Sequence, residues 1–274
     1  MLGNVALQDV LLAMSWVDKN AGALNVDTDN MAAFGLGSGA YVLSLLLMSS
    51  SSANDTLFRR AFLQGPCPTA PLPRNTPEIG RAYLAQMSRD LSCYQPRIAD
   101  QADCLRSVAQ ELLLEASLNV GPPIRFVPSA LNGEALSSLQ ETAYFEGVEI
   151  LLGSDVSEGK RLYDDVIIPS AKEFSNSTNL QASDVFDSLR YFLTNDANGL
   201  DAASREAALK VVAPNDMAQT IVQLLTTCPS KKMAAAVSAR NGTLYHYVTK
   251  GDSVNDVPLE MADIANFLSK GQVF

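Results

Sequence analysis

A short run of small residues, Gly35-Leu-Gly37-Ser38-Gly39-Ala40, has the residue types and spacing best suited to chemistry. It follows the apolar segment 30–34 and precedes the apolar segment 41–48, which predicts a strand, a tight turn and a buried helix. Proteins with parallel sheets use such a turn to present a nucleophile or to hold a phosphate. The two interpretations require different residues here.

The first interpretation is a dinucleotide-binding turn, G-x-G-x-x-A, whose pattern Gly35, Gly37 and Ala40 satisfy. That chemistry also requires an acidic residue at the end of the next strand, to hold a ribose. The next apolar segment ends at Gln64 and Gly65, so this acidic residue is missing. We therefore expect no nucleotide cofactor, and no other cofactor is indicated.

The second interpretation is a nucleophile elbow, G-x-S-x-G, whose central position is here Gly37. Ser38 comes one residue later, where its simpler role is a helix N-cap. Hydrolysis also needs a base, and the only histidine, His246, lies between tyrosines in an alternating strand, which favours a packed role. Cys67 could be a nucleophile only beside a base, and a buried thiol is its simpler role.

The elements that would position this turn alternate along the chain between strands and helices. Strands are predicted at 30–34, 58–64, 148–153 and 242–248, whereas 120–147 reads as loop. Helices are predicted at 3–20, 41–48, 76–91, 104–118, 229–240 and 259–270, with several more between 160 and 226. This alternation predicts an α/β fold with a mostly parallel sheet.

Composition excludes several functional classes. The net charge of −10 argues against binding to nucleic acid or to an anionic membrane. No run of 18 apolar residues is present, so we expect no membrane span within this chain. The acidic pairs Asp164-Asp165 and Asp252/Asp256 are typical of solvated surface, and no spacing of ligands suggests a metal site.

Cysteines and sequons indicate an oxidising compartment. Cys93 and Cys104 lie eleven residues apart with no histidine nearby, so a loop disulfide is favoured over a zinc site. N-glycosylation sequons occur at Asn54, Asn176 and Asn241. Together they favour an extracellular location, as a secreted protein or as the ectodomain of a membrane protein.

Six blocks spread along the chain resemble the type-B carboxylesterase/cholinesterase family of α/β-hydrolases. They are the G-N…L-x-D…A…W-V helix at 3–17, the F-G-E-S-A-G-A elbow at 34–40, the L-F-x-x-A-x-x-Q strand at 57–64, the C-L-R ending at 104–106, the L-L-G…E-G segment at 151–159, and the C-P…G-T-x-x-Y block beginning at 228. The resemblance implies an α/β-hydrolase fold. It also implies that residues 1–274 form a partial domain, without the family's first strands, its oxyanion-hole segment and its extreme C-terminus.

The resemblance also places the catalytic triad. The nucleophile position is Gly37, the acid position is Glu158 and the histidine position falls near Ala265. With nucleophile and base both replaced, no catalytic residue is expected, because a triad works as a unit. In the family pattern Cys93 and Cys104 close a small disulfide loop, while Cys67 and Cys228 remain unpaired in this sequence.

These features together predict a catalytically inactive member, similar to the neurotactin, glutactin, neuroligin and thyroglobulin branch. The expected function is recognition of an extracellular or cell-surface protein, a second copy of the chain included. Two alternatives stay open at this stage. One is an active serine carboxylesterase using Ser38 or Cys67 in an unusual geometry, and the other is a folding or dimerisation domain of a larger secreted precursor.

Overall fold

The structure, a computed structural model, describes residues 5–48, 58–65, 77–119, 130–131, 134–135, 147–155, 163–194, 206, 210, 217–239 and 242–249. Its strands are β1 Ala32–Leu36, β2 Arg60–Gln64, β3 Ala130–Leu131, β4 Glu134–Ala135, β5 Glu149–Asp155 and β6 Thr243–Thr249. In this part of the chain, four strands form one sheet in the order β1-β2-β5-β6, and every neighbouring pair is parallel. The predicted parallel α/β sheet is therefore confirmed.

Helices connect and cover these strands. They are α1 Val5–Lys19, α2 Ala21–Leu24, α3 Ser38–Met48, α4 Pro77–Asp90, α5 Ile98–Ser107, α6 Gln110–Asn119, α7 Ile168–Ser175, α8 Ala182–Thr194, α9 Met217–Val222 and α10 Cys228–Ser238. A 3-10 turn spans Thr28–Asn30, and π-helical turns at Tyr163–Ile167 and Gln223–Thr227 lead directly into α7 and α10. Parallel strands need such crossover connections.

The helix after the glycine turn is the centre of the hydrophobic core. Every residue from 40 to 47 is buried, as its uniformly apolar sequence predicts. The one polar member, Ser44, donates its hydroxyl to the carbonyl oxygen of Ala40 at 2.7 Å, so burial leaves it satisfied. The predicted start at residue 41 is wrong: the helix begins at Ser38, because the carbonyl of Gly37 accepts the Tyr41 N–H at 3.1 Å.

The cysteine region differs from the prediction in its helices. The single helix expected over 104–118 is two helices, because Val108 is extended (φ −76, ψ 142) between α5 and α6. Cys104 consequently lies within α5, and the segment after Cys93 is only partly a loop. The predicted disulfide between Cys93 and Cys104 is present and ties α5 to the end of α4.

Two further predictions concern residues 120–147 and residues 259–270. The stretch 120–147, predicted as loop, contains the antiparallel pair β3 and β4. The intervening sequence Asn132-Gly133 is typical of two-residue hairpin connections, and this signal could have predicted the pair. The helix predicted over 259–270 lies outside the described residues.

Candidate functional site

The glycine turn joins a strand to a helix through a residue of positive φ that has no side chain. Gly37 joins β1 to α3 with φ +52, a left-handed conformation that glycine adopts freely. Its N–H donates to the carbonyl oxygen of Gln64 at 2.7 Å. A Cβ placed on Gly37 would have no heavy atom within 4 Å, so the position is open to its surroundings.

The close packing of α3 against β1 depends on a second glycine, Gly35. A Cβ on Gly35 would lie 2.7 Å from the backbone nitrogen of Ala40 and from the carbonyl carbon of Gly39. Atoms cannot approach this closely, so any side chain here would push α3 away from β1. The sharp turn is therefore built by Gly37, and the tight packing that holds it by Gly35.

The only hydroxyl in the turn is that of Ser38, and its surroundings are apolar. The N-cap role predicted for Ser38 is wrong, because Gly37 occupies that position and Ser38 is the first helical residue. Ser38 is exposed and lines a cavity of about 470 Å³ between α1, β1 and α3. The described lining includes Val10, Met14 and Phe34 and contains no titratable side chain that could act as a base.

The single histidine lies far from the turn. The strand registers place Gly35, Leu63, Leu152 and His246 in one row across the sheet, with Gly35 and His246 on the two outer strands of its described part. Three strand spacings separate them by roughly 14 Å. His246 cannot reach Ser38 as a base, and the packed role predicted for it agrees with this position.

His246 belongs instead to a polar cluster that sequence reasoning missed. Its Nε2 lies 3.0 Å from Oγ of Ser154, which lies 3.0 Å from Oγ of Ser230. Burial lowers the pKa of His246, and the positive charge of Lys231 lowers it further. The three residues stand on β6, β5 and α10, and no short motif in the sequence links them.

Other predicted site residues are only partly described. Glu158, Ala265, Cys67, Asn54 and Asn241 lie outside the described residues. Asn176 follows α7, exposed and with φ 50, and Cys228 carries an exposed free thiol at the start of α10. Of the acidic positions predicted to lie on the surface, Asp164 is exposed, whereas Asp252 and Asp256 also lie outside the described residues.

The described residues lack two further features. None of the helices there combines the length and apolar character needed to cross a bilayer. No group of three or more His, Cys, Asp or Glu side chains among the same residues is arranged to hold a metal ion.

Comparison with known proteins gives the family. The sequence profile of the carboxylesterase family matches residues 1–264. The chain belongs to the carboxylesterase family. This membership confirms the α/β-hydrolase fold class that the resemblance implied, with the four-stranded parallel sheet as its visible core.

Individual relatives of this carboxylesterase-family chain are moderately similar. Acetylcholinesterase of Bungarus fasciatus is 30% identical over 166 residues, covering 57% of this chain and 27% of that protein. Thyroglobulin of Bos taurus is 27% identical over 164 residues, covering 57% of this chain and 6% of that protein. Neuroligin-3 of Mus musculus is 26% identical over 192 residues, covering 68% of this chain and 23% of that protein. The chain therefore spans less than a third of the length of these relatives.

Proposed function

We propose that this chain is a non-catalytic cholinesterase-like domain that recognises an extracellular protein. The observation that carries the proposal is Gly37, a residue with φ +52 and no side chain in the strand-to-helix turn, which the family resemblance aligns with the nucleophile. Similarity to neuroligin-3 and thyroglobulin supports the non-catalytic branch that the sequence resemblance indicates.

The missing base supports the same proposal. The chain has one histidine, and it lies on the opposite edge of the described sheet, bonded to Ser154. The residue expected at the family's histidine position, Ala265, has no group that can accept a proton. A lone elbow hydroxyl without a base would be a poor nucleophile. In this proposal the chain therefore shares its fold with acetylcholinesterase but not its catalytic activity.

Two features support an extracellular setting, and a third bears on the type of partner. Structural disulfides such as the one between Cys93 and Cys104 are typical of oxidising compartments and rare in reducing ones. Asn176 opens the sequon Asn176-Ser177-Thr178 at an exposed helix end, where a glycan can be attached. The net charge of −10 favours a protein partner over nucleic acid.

Covalent labelling tests the loss of catalysis. The purified chain is incubated with a fluorophosphonate probe and with a p-nitrophenyl ester, with an active cholinesterase as the positive control. We expect neither labelling nor turnover above buffer. Labelling that disappears in Ser38→Ala would contradict the proposal and would establish the active-esterase alternative.

A binding experiment tests recognition. The biotinylated chain is applied to intact cells, and we expect binding that is lost when the cells are first treated with protease.

A second candidate, a folding or dimerisation domain of a larger secreted precursor, is favoured by the alignment with 6% of bovine thyroglobulin, a far longer protein. A stable dimer by light scattering without cell-surface binding would favour that candidate.

A further inference from the structure

Helix α6 carries leucines on the side that faces solvent. Leu114 is 61% exposed and Leu118 is 64% exposed, and the two side chains lie one helical turn apart. Ala116 is the only residue of this helix that is buried. The outward face of a surface helix normally carries polar and charged residues, because apolar surface in water is unfavourable. The two leucines therefore mark a surface suited to an apolar contact with another molecule.

An acidic row runs beside these leucines. Glu111 and Glu115 are exposed, and each precedes one of the two leucines by three residues, so the acidic and apolar rows are neighbours on the helix surface. Helix α6 contains no lysine or arginine. Neither glutamate forms an ion pair with a residue in the part of the chain that the structure describes. A cation from another molecule can therefore pair with both carboxylates.

The arginines of the preceding helix α5 pair within that helix. Arg97 donates two hydrogen bonds to the carboxylate of Asp100, each at 2.7 Å. Arg106 pairs with the carboxylate of Asp103, also one turn away. Both arginines thus have acidic partners of their own, and the charge of the α6 face stays negative.

The α6 face stands on a covalently braced group of helices. The disulfide between Cys93 and Cys104 ties α5 to the end of α4, and α6 contacts α4. The extended backbone of Val108 separates α6 from α5, so the two helices are distinct elements. A surface on braced helices loses little conformational freedom on binding, which favours affinity.

We propose that the exposed face of α6 is the docking surface for an amphipathic basic helix of a partner protein. The apolar row of that helix packs on Leu114 and Leu118, and its lysine or arginine side chains pair with Glu111 and Glu115. This assignment rests on the proposed recognition of an extracellular protein, and it names the surface and the chemistry of the partner. A second copy of the chain is a poorer occupant, because its α6 would bring two more carboxylates and no cation.

A synthetic peptide tests the apolar row. The probe is a fluorescein-labelled helical peptide with leucines and lysines each at i, i+4 spacing, and fluorescence anisotropy measures its binding to the purified chain. We expect the parent chain to bind it, and Leu114→Gln/Leu118→Gln to bind about tenfold or more weakly, because two leucine contacts are lost. The matched control is Leu12→Gln, at a leucine of α1 that is 69% exposed, and it should bind like the parent chain. Equal affinities of the control and the double variant, or no binding by the parent chain, would overturn the proposal.

Ionic strength tests the acidic row. Glu111→Gln/Glu115→Gln should weaken peptide binding about threefold or more at roughly 50 mM salt and have little effect at roughly 1 M, because salt screens exposed ion pairs. Asp9→Asn/Asp18→Asn removes the same charge from two exposed positions of α1 and serves as the matched control. Equal weakening in both double variants would count against α6 as the site of charge pairing.

Cell binding separates the docking surface from the proposed function. The parent chain and Leu114→Gln/Leu118→Gln are applied to the same cells, after thermal unfolding has shown that the variant is as stable as the parent. We expect the variant to lose most of the protease-sensitive binding. A variant that binds as well as the parent would rule out the α6 surface and leave protein recognition standing. A parent chain that binds no cell would contradict protein recognition, and the docking proposal with it.

Discussion

The N–H of Gly37 donates a hydrogen bond to the carbonyl oxygen of Gln64 across 2.7 Å, which fastens the glycine turn to the second strand of the sheet. The carbonyl of Gly37 accepts the N–H of Tyr41 at 3.1 Å and so begins the buried helix α3. Both bonds use the backbone. The turn therefore keeps its shape without a side chain at its centre.

The first prediction concerns Gly37→Ser. The added side chain meets open space, but φ +52 is unfavourable for a residue with a Cβ, so we expect a loss of about 1–2 kcal/mol in the free energy of unfolding. Urea unfolding measures it. We also expect no ester hydrolysis, because Ala265 stands at the predicted position of the base. Measurable turnover by this variant would show that another group supplies the base.

Gly35→Ser is the matched control, two residues earlier. Its Cβ would lie 2.7 Å from backbone atoms of α3, which cannot move aside as a side chain can. We expect a loss of about 3 kcal/mol or more, or failure to fold. Equal tolerance of serine at both positions would contradict the packing described here.

The second prediction concerns the disulfide. Cys93 is buried, and the bridge to Cys104 closes a loop with a sequence separation of 11. Replacing both cysteines by alanine should lower the free energy of unfolding by roughly 2–4 kcal/mol, because the unfolded chain gains conformational freedom. Thermal and urea unfolding of the double variant measure this loss.

Cys228→Ser serves as the control for that experiment. Cys228 is exposed and carries a free thiol, so its replacement should change stability by less than about 0.5 kcal/mol. If reducing agent destabilises the parent chain but leaves the double alanine variant unchanged, the effect belongs to the disulfide. A parent chain unaffected by reduction would argue against a stabilising role.

The third prediction concerns Lys231→Gln. The charge of Lys231 is one of the two causes of the lowered pKa of His246, so its removal should raise that pKa toward the ordinary value. Folded and unfolded states then differ less in proton affinity, and the stability lost between pH 7.5 and 5.5 should become smaller. Unfolding curves at the two pH values give the comparison.

Lys232→Gln is the matched control for this pH effect. It removes the same charge from the next residue of α10, an exposed position that is not a cause of the shift at His246. We expect its pH dependence to match that of the parent chain. If both variants lose less stability than the parent chain between pH 7.5 and 5.5, the pH effect depends on the net charge of the chain and not on the position of Lys231.

The fourth prediction concerns the sequon at Asn176. Expression through a secretory pathway should yield a glycan on Asn176, because this residue is exposed at the end of α7. Thr178→Ala removes the sequon and leaves Asn176 with its φ of 50 unchanged. We expect the variant to lose one glycan by mass spectrometry, and an unchanged glycan mass would show that Asn176 is not modified.

Local patterns in the sequence determined the fold class, the glycine turn, the disulfide and the family resemblance. Alternating apolar segments are short-range signals of strands and helices, and the spacing of the two cysteines is equally local. Boundaries were less well determined: α3 starts three residues earlier than predicted, and the helix expected over 104–118 divides at Val108. Both differences depend on backbone hydrogen bonds that composition does not reveal.

Only the tertiary structure decided the partners of His246. Ser154 and Ser230 are ordinary serines in sequence, and the three residues meet because β5 and β6 pair in parallel register while α10 packs across them. Tertiary structure also placed His246 and Gly35 on the two outer strands of the sheet that the structure describes, which separates the histidine from the turn. Sequence spacing cannot supply such distances, because parallel pairing joins segments whose separation along the chain is set by long connections.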